Sequence, residues 1–342
     1  MMRVGLTYDL RDDYRDAGLS DEALAEFDSA ETISELETAL GRLGLEVERI
    51  GHVRHLAQRL VAGDRWDFVF NVAEGLKGRA REAQVPALLE AYDIPYVFSD
   101  PLVMSATLDK AVAKRLVRDH GVTTAPFVVL ESVADVAAVD FPYPVFAKPI
   151  AEGTGKGCTA TSRCRNAADL RRTARRLLAR YGQPVIVEPF LPGREFTVGI
   201  VGTGRGAKVL AVMEIALRPG AEAEVYSYEN KELCESRVAY GLAHDGEARQ
   251  AGETALAAYR ALGCRDAGRV DMRSDAAGVP QFLEVNPLAG LHPTHSDLPI
   301  LAGLAGVSYD ELLGRIVAAY LARTGLDQAP VAARRAMAGR AA

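Results

Sequence analysis

Short apolar runs alternate with amphipathic segments over the first third of the chain. Val4 to Tyr8 reads as a short buried strand. From Ser29 to Leu43, Ile33, Leu36, Leu40 and Leu43 recur at helical spacing. Leu45 to Ile50 alternates and predicts a second strand, and Phe68 to Val72 a third. Ile94 to Val97 predicts a fourth, behind a helix ending near Tyr92. Strands separated by helices predict a parallel sheet covered on both faces, so residues 1–105 are expected to form an open α/β domain.

The pattern then changes. One helix is predicted from Thr107 to His120, stopped by Gly121. Phe127 to Leu130 and Val145 to Lys148 predict strands, and residues 153–157 join the second of these to Cys158–Thr161. A helix from Ala168 to Tyr181 and a strand from Val185 to Glu188 complete a small α+β unit of antiparallel strands, residues 106–191. Residues 192–325 predict a third unit. It holds a hairpin (Phe196–Val201, Lys208–Ile215), a polar stretch over 218–245 and a helix over 247–262. Two strands (Gly268–Arg273, Gln281–Asn286) and a helix near Tyr309–Ala322 close it. The Ala- and Arg-rich tail, 326–342, is expected to be flexible. No internal repeat at a fixed period is present.

Composition narrows the function classes. With 342 residues, two or three domains are expected. The net charge of -6 lacks the basic footprint that nucleic-acid binding rests on. The arginine-rich segment (Arg171, Arg172, Arg175, Arg176, Arg180) reads as a solvated helix face. No apolar run reaches the roughly 18 residues of a membrane helix. The N-terminus lacks a signal peptide's apolar core. Four cysteines without a CxxC pair read as reduced thiols, so a cytoplasmic location is expected.

Four segments carry candidate chemistry. Gly153-Thr154-Gly155-Lys156-Gly157 can present backbone N–H groups to an anion, or can be a glycine-rich hairpin turn. It lacks the spacing of a P-loop. Gly202–Gly206 reads as a plain hairpin loop. Strand alternation puts Arg269, Asp271 and Arg273 on one face, and Glu284 with Asn286 on one face of the next strand, joined by the turn 275–278. That set suits Mg²⁺ bridging phosphates, or an exposed sheet face bearing an ion pair. Val270, Met272, Leu283 and Val285 are then expected in the core behind it. Lys148 ends an apolar strand and needs an anionic partner, and Lys110 begins a helix where a cation opposes the dipole. Between Val187 and Phe196, the linker carboxylates Glu188 and Glu195 are either nucleotide contacts or solvent-exposed groups.

In order and spacing these segments resemble the ATP-grasp superfamily and, within it, the D-alanine–D-alanine ligases, over roughly residues 66–320. The match is densest at Ser105–Lys110, Ala147-Lys148-Pro149 with Glu152-Gly153-Thr154, Val187–Leu191 with Gly193–Val198, Gly268–Asp271 and Leu283–Asn286. The resemblance implies a three-domain ATP-grasp fold and a cytoplasmic ligase of cell-wall (peptidoglycan) synthesis. Such a ligase joins two amino acids through an acyl phosphate, as a homodimer. It implies that Lys110 and Lys148 contact ATP phosphates, with Gly153, Thr154 and Gly155 closing over them. Glu188 and the backbone from Pro189 to Leu191 would hold adenine, and Glu195 the ribose. Asp271, Glu284 and Asn286 would ligate two Mg²⁺ ions, with Mn²⁺ as a substitute. Lys231 would reach the γ-phosphate. Arg269 and the N–H of Gly290 would stabilise the tetrahedral intermediate. Thr154 would stand for the family's first-substrate serine, and Ser296 would hold the second substrate's carboxylate.

The chain departs from that family in the half that would hold the first substrate. The acidic, serine-rich motif after the first strand is here Leu24–Glu31. Glu26 or Asp28 could serve it, while Asp28 with Glu31 also reads as a helix-start capping pair. The His-Gly…Gly-Glu-Asp-Gly segment is here Glu74–Glu82. Glu232 replaces the tyrosine after the mobile lysine, where it could favour a cationic substrate group. Arg79 and Arg81 suit either a substrate carboxylate or a solvated loop. His292 and His295 fall near the presumed acceptor site, His52 and His55 read as surface residues and Trp66 as packing. A paralogue acting on another acid–amine pair in specialised metabolism is therefore the alternative. A catalytically silent nucleotide-binding protein stands further off, since Asp271, Glu284, Asn286 and Arg269 are all retained; a biotin-type carboxylase would keep the same nucleotide chemistry and stands further off because the motifs resemble those of the ligases.

Overall fold

The structure is a computed structural model that describes residues 1–15, 18–217 and 238–326. Its framework is three four- or five-stranded sheets. Strands β1 (Met2–Thr7), β2 (Leu45–Gly51), β3 (Phe68–Asn71) and β4 (Tyr96–Val97) pair parallel in the order β2-β1-β3-β4. One face packs Val4, Leu6, Phe68 and Phe70 against Ile33, Leu36 and Leu40 of the Ala30–Arg42 helix. The other packs Val69 against Leu56, Leu60 and Leu89, from the Val53–Val61 and Gln84–Ala91 helices. The chain's last described helix, Tyr309–Thr324, follows the third sheet in sequence but packs Leu312, Ile316 and Tyr320 into this first core.

The second sheet is antiparallel: β5 (Val128–Leu130), β6 (Val145–Pro149), β7 (Arg163–Cys164) and β8 (Val185–Pro189) in the order β5-β8-β6-β7. The Ala167–Tyr181 helix buries Leu170, Ala174 and Leu177 on it, and leaves Arg171, Arg172, Arg175 and Arg180 exposed. The third sheet is also antiparallel: β9 (Glu195–Val201), β10 (Lys208–Leu217), β11 (Val238–Leu242), β12 (Ala267–Ser274) and β13 (Pro280–Asn286), ordered β11-β10-β9-β12-β13. The Gly246–Ala261 helix covers one face with Ala251, Ala255, Ala258 and Tyr259. Strand β11 lies within the stretch read as polar.

Three local differences from the sequence pattern shape the site. The single helix expected over 107–120 is two, Pro101–Leu108 and Lys110–Asp119, divided at Asp109. Asp109 is extended (φ -86°, ψ 103°), and its carboxylate accepts hydrogen bonds from the N–H groups of Ala111 and Val112. That is the geometry of an N-cap, which leaves Lys110 in a first turn. Second, the cap of the Ala30–Arg42 helix is Ser29 rather than Asp28, with Ser29 Oγ accepting from Thr32 N at 3.1 Å. Asp28 is thereby left to face elsewhere.

Third, β13 carries a bulge. Asp271 pairs with Glu284 but Met272 pairs with Phe282, so Leu283 is an extra residue. Phe282 and Val285 enter the core, and Leu283 does not. The expected core position of Leu283 is corrected accordingly: strict alternation fails where two residues oppose one. On β12 alternation holds, with Val270 and Met272 buried and Arg269, Asp271 and Arg273 on the other face.

Candidate active site

Two adjoining cavities lie where the sheets converge. A narrow cleft of about 110 Å³ runs between the second and third sheets. A larger one of about 420 Å³ continues toward the first. Lys110, Glu152 and Glu284 line both.

The cleft is built from strand ends. Lys148 on β6 and Glu188 on β8 are diagonal neighbours on paired strands, 3.9 Å apart. Lys148 Nζ also lies 3.8 Å from Glu284 Oε2, so the anionic partners that burial requires are present. Burial pulls the Lys148 ammonium down, but Glu284 and Glu188 outweigh it and hold its pKa above the ordinary lysine value. Lys110 Nζ sits 3.3 Å from Glu284 and donates to the Glu152 carbonyl at 2.6 Å. Glu188 is buried, not exposed in a linker. Its other oxygen lies 2.6 Å from Lys114 Nζ, a fully buried ammonium that also donates to Thr124 Oγ1 and the Phe282 carbonyl, both at 2.8 Å. Leu283, turned out by the bulge, lines the cleft with Phe146, Pro189, Phe190 and Leu191. Phe190 has Arg163 4.4 Å and Arg273 5.2 Å from its ring centre. Glu195 accepts from Arg273 at 3.1 Å.

At the junction, Arg269 is fixed by two carboxylates. It donates to both oxygens of Asp271, at 3.1 and 3.0 Å, and lies 3.0 Å from Asp297. Burial opposes its charge, yet the flanking carboxylates raise its pKa further. Asp271 also accepts from Thr197 Oγ1 at 2.9 Å and from Asn286 Nδ2 at 3.4 Å. Asp271, Glu284 and Asn286 thus stand together across β12 and β13. Gly290 and Ser296 also line the large cavity. A Cβ on Gly290 would lie 2.8 Å from Ser296 Oγ, so a side chain there would push the Ser296 hydroxyl aside. Ser296 Oγ accepts from His292 N at 3.0 Å, and burial depresses the His292 imidazole. His295 lines the same cavity, whereas His52 caps the Val53–Val61 helix and stacks on His55. Trp66 is core.

The far wall is acidic: Glu26, Asp28, Glu74 and Glu82. Glu26 accepts from Gly153 N at 2.8 Å and from Arg81 at 3.1 and 3.3 Å, and lies 2.9 Å from Lys156. Burial would raise its pKa, but Arg81 and Lys156 bring it below the ordinary value. A Cβ on Gly153 would overlap this carboxylate. The loop bends through Thr154 at φ 53°, a left-handed value costly for threonine. Arg81 therefore meets a protein carboxylate, and the exposed Arg79 pairs with Asp109.

The model for the D-ala D-ala ligase C-terminus matches residues 116–318. A D-alanine–D-alanine ligase of Bordetella petrii is 34% identical over 268 residues, 77% of this chain and 78% of that protein. The chain belongs to the D-alanine–D-alanine ligase family. The fold agrees with that of D-alanine–D-alanine ligase from Bacillus anthracis complexed with ATP (TM-score 0.69, 22% identity, 96% of this chain and 100% of that one). It also agrees with VanG D-Ala:D-Ser ligase from Enterococcus faecalis (TM-score 0.71, 20% identity, 93% and 99%). The fold is thus the three-part ATP-grasp architecture, and no helix among the described residues is long and apolar enough to cross a membrane.

Of the residues singled out in sequence, Lys110, Lys148, Glu188, Leu191, Glu195, Asp271 and Glu284 line the cleft together, with Gly155 beside them. Glu26, Asp28, Gly153, Thr154, Arg269, Asn286, Gly290 and Ser296 line the large cavity. Lys231 and Glu232 lie outside the described residues. Sequence reasoning did not single out Lys114, Lys156, Glu82 and Asp297 for the roles their contacts show. A lysine inside the apolar face of the Lys110–Asp119 helix was the available signal for Lys114.

Proposed function

We propose that this family member is an ATP-dependent carboxylate–amine ligase joining two amino acids. The observation that carries the proposal is the junction itself. A cleft with two buried lysines opens, through Glu284 and Asp271, into a cavity holding a doubly anchored arginine. ATP in the cleft would stack its adenine near Phe190 and Leu191, reach Glu188 with its amino group and Glu195 with its ribose. Its phosphates would meet Lys110, Lys148 and the 153–155 backbone. Lys231 is proposed at the γ-phosphate.

Asp271, Glu284 and Asn286 form a hard oxygen set suited to Mg²⁺, with Mn²⁺ tolerated. Glu284 already faces two ammonium groups, which argues for a site where charges of both signs are assembled around phosphate. The metal would supply charge neutralisation on the phosphates.

The first amino acid's carboxylate attacks the γ-phosphorus, giving an acyl phosphate and ADP. The second amino acid's amine then attacks the acyl carbon, and phosphate leaves as the amide forms. Arg269 and the Gly290 N–H would face the oxyanion of that tetrahedral intermediate. Because Asp271 and Asp297 hold Arg269 in place, little reorganisation is needed at that moment. Ser296 would orient the acceptor carboxylate. Thr154, with Glu26 or Asp28, would border the donor, and Glu232 is a further proposed substrate contact. The test is ADP release with Mg²⁺-ATP across D- and L-amino acids, singly and in pairs, with products identified by mass. Dipeptide and stoichiometric ADP are expected. No ADP with any pair would refute the proposal.

A further inference from the structure

The acidic wall of the large cavity contains more negative charge than the described residues balance. Glu26 is matched by Arg81 and Lys156. Arg81 is committed to Glu26 and to the Ala151 carbonyl, and Lys156 to Glu26 and Glu152. Arg11, on the same wall, donates to the carbonyls of Phe27 and Ala25. Glu74 and Glu82 make no hydrogen bond or ion pair with any described residue. Glu82 is only 9% exposed and lines the cavity. A buried carboxylate with no partner among the described residues is costly, so Glu82, with the half-buried Glu74 beside it, is suited to a cation or a proton.

Their chemistry indicates which. Burial raises Glu82 to about 7, with Arg81 opposing and Glu26 adding, and burial with Glu82 and Glu26 raises Glu74 well above the glutamate range. Both groups are thus poised to respond to incoming positive charge. An organic ammonium needs only two carboxylates and hydrogen-bonds to both.

We infer, resting on the ligase reading above, that the donor substrate carries a second cationic group. It is an α,ω-diamino acid whose distal ammonium is held by Glu74 and Glu82. The donor end of the cavity is the place for it, because Glu26, the carboxylate seated on Gly153, lines the same cavity and its charge bears on both glutamates.

The experiment is calorimetric titration of the full chain with Mg²⁺ and a non-hydrolysable ATP analogue. The titrants are D- and L-alanine, 2,3-diaminopropionate, 2,4-diaminobutyrate and ornithine. At least one diamino acid is expected to bind tenfold or more tighter than alanine of the same hand. Glu82→Gln and Glu74→Gln keep the side-chain shape, and each is expected to remove at least tenfold of that preference. Alanine binding as tightly as every diamino acid, a preference unchanged in both variants, or no binding by any titrant overturns the inference. ADP release measured in parallel separates the two readings. Turnover with alanine and no diamino preference overturns this inference alone. Diamino-acid binding without ADP release overturns the ligase reading and leaves the cation site standing.

Discussion

Replacing Lys114 by methionine isolates the energetics of the cleft's most buried ion pair. The ammonium has three partners, but they are not equally dependent on it. Thr124 Oγ1 itself donates to the Phe282 carbonyl at 2.8 Å, so those two groups keep a bond when lysine leaves. The group orphaned is Glu188 Oε1, 2.6 Å from the ammonium, while its other oxygen is 3.9 Å from Lys148. Removing one partner of a buried pair costs about 3–5 kcal/mol. Lys114→Met should therefore lose about 3–5 kcal/mol. Adding Glu188→Gln removes the orphaned charge and should recover most of that loss. Urea unfolding followed by circular dichroism measures both variants. A loss below about 1 kcal/mol, or one that Glu188→Gln leaves unrecovered, would refute the reasoning.

Two further outcomes are expected. Asp271→Asn weakens the carboxylate that fixes Arg269 and removes a proposed metal ligand, so kcat for ADP release should fall about 10²–10³-fold; a change within about threefold sinks that role. Burial, reinforced by Asp9 and opposed by Arg11, raises Asp28 to about 7, and Glu82 reaches about 7 through burial. Folded values above unfolded ones mean that the native state binds more protons between about pH 4 and 7, so this contribution to stability is lost as pH rises through that window. Thermal midpoints of wild type and Asp28→Asn/Glu82→Gln should diverge across it, and parallel curves would contradict the assignment.

Much of the cleft is legible in the sequence because it rests on strand alternation. Arg269 and Asp271 need only a two-residue period to share a face, and Lys148 at the end of an apolar strand announces a missing anion. What could not be read depends on pairs far apart in the chain. Arg81 and Glu26 are separated by 55 positions, and either alone resembles a loop charge or a substrate ligand. Lys114 becomes meaningful only once Glu188 and Phe282 are folded against it. The division at Asp109 was written locally, as a capping aspartate, but the helical period of apolar residues runs across it and masks the break. Leu283 went astray because alternation has no means of registering one inserted residue.

That inserted residue sets a boundary on how the chain can be improved. Deleting position 283 would restore an unbroken ladder between β12 and β13. It would also remove the apolar side chain that lines the cleft and alter the local strand twist that aims Glu284. The irregularity in the ladder and the alignment of the proposed metal-binding carboxylates are thus one heritable trait. Laboratory evolution of this scaffold should hold the length of this strand fixed and seek robustness elsewhere.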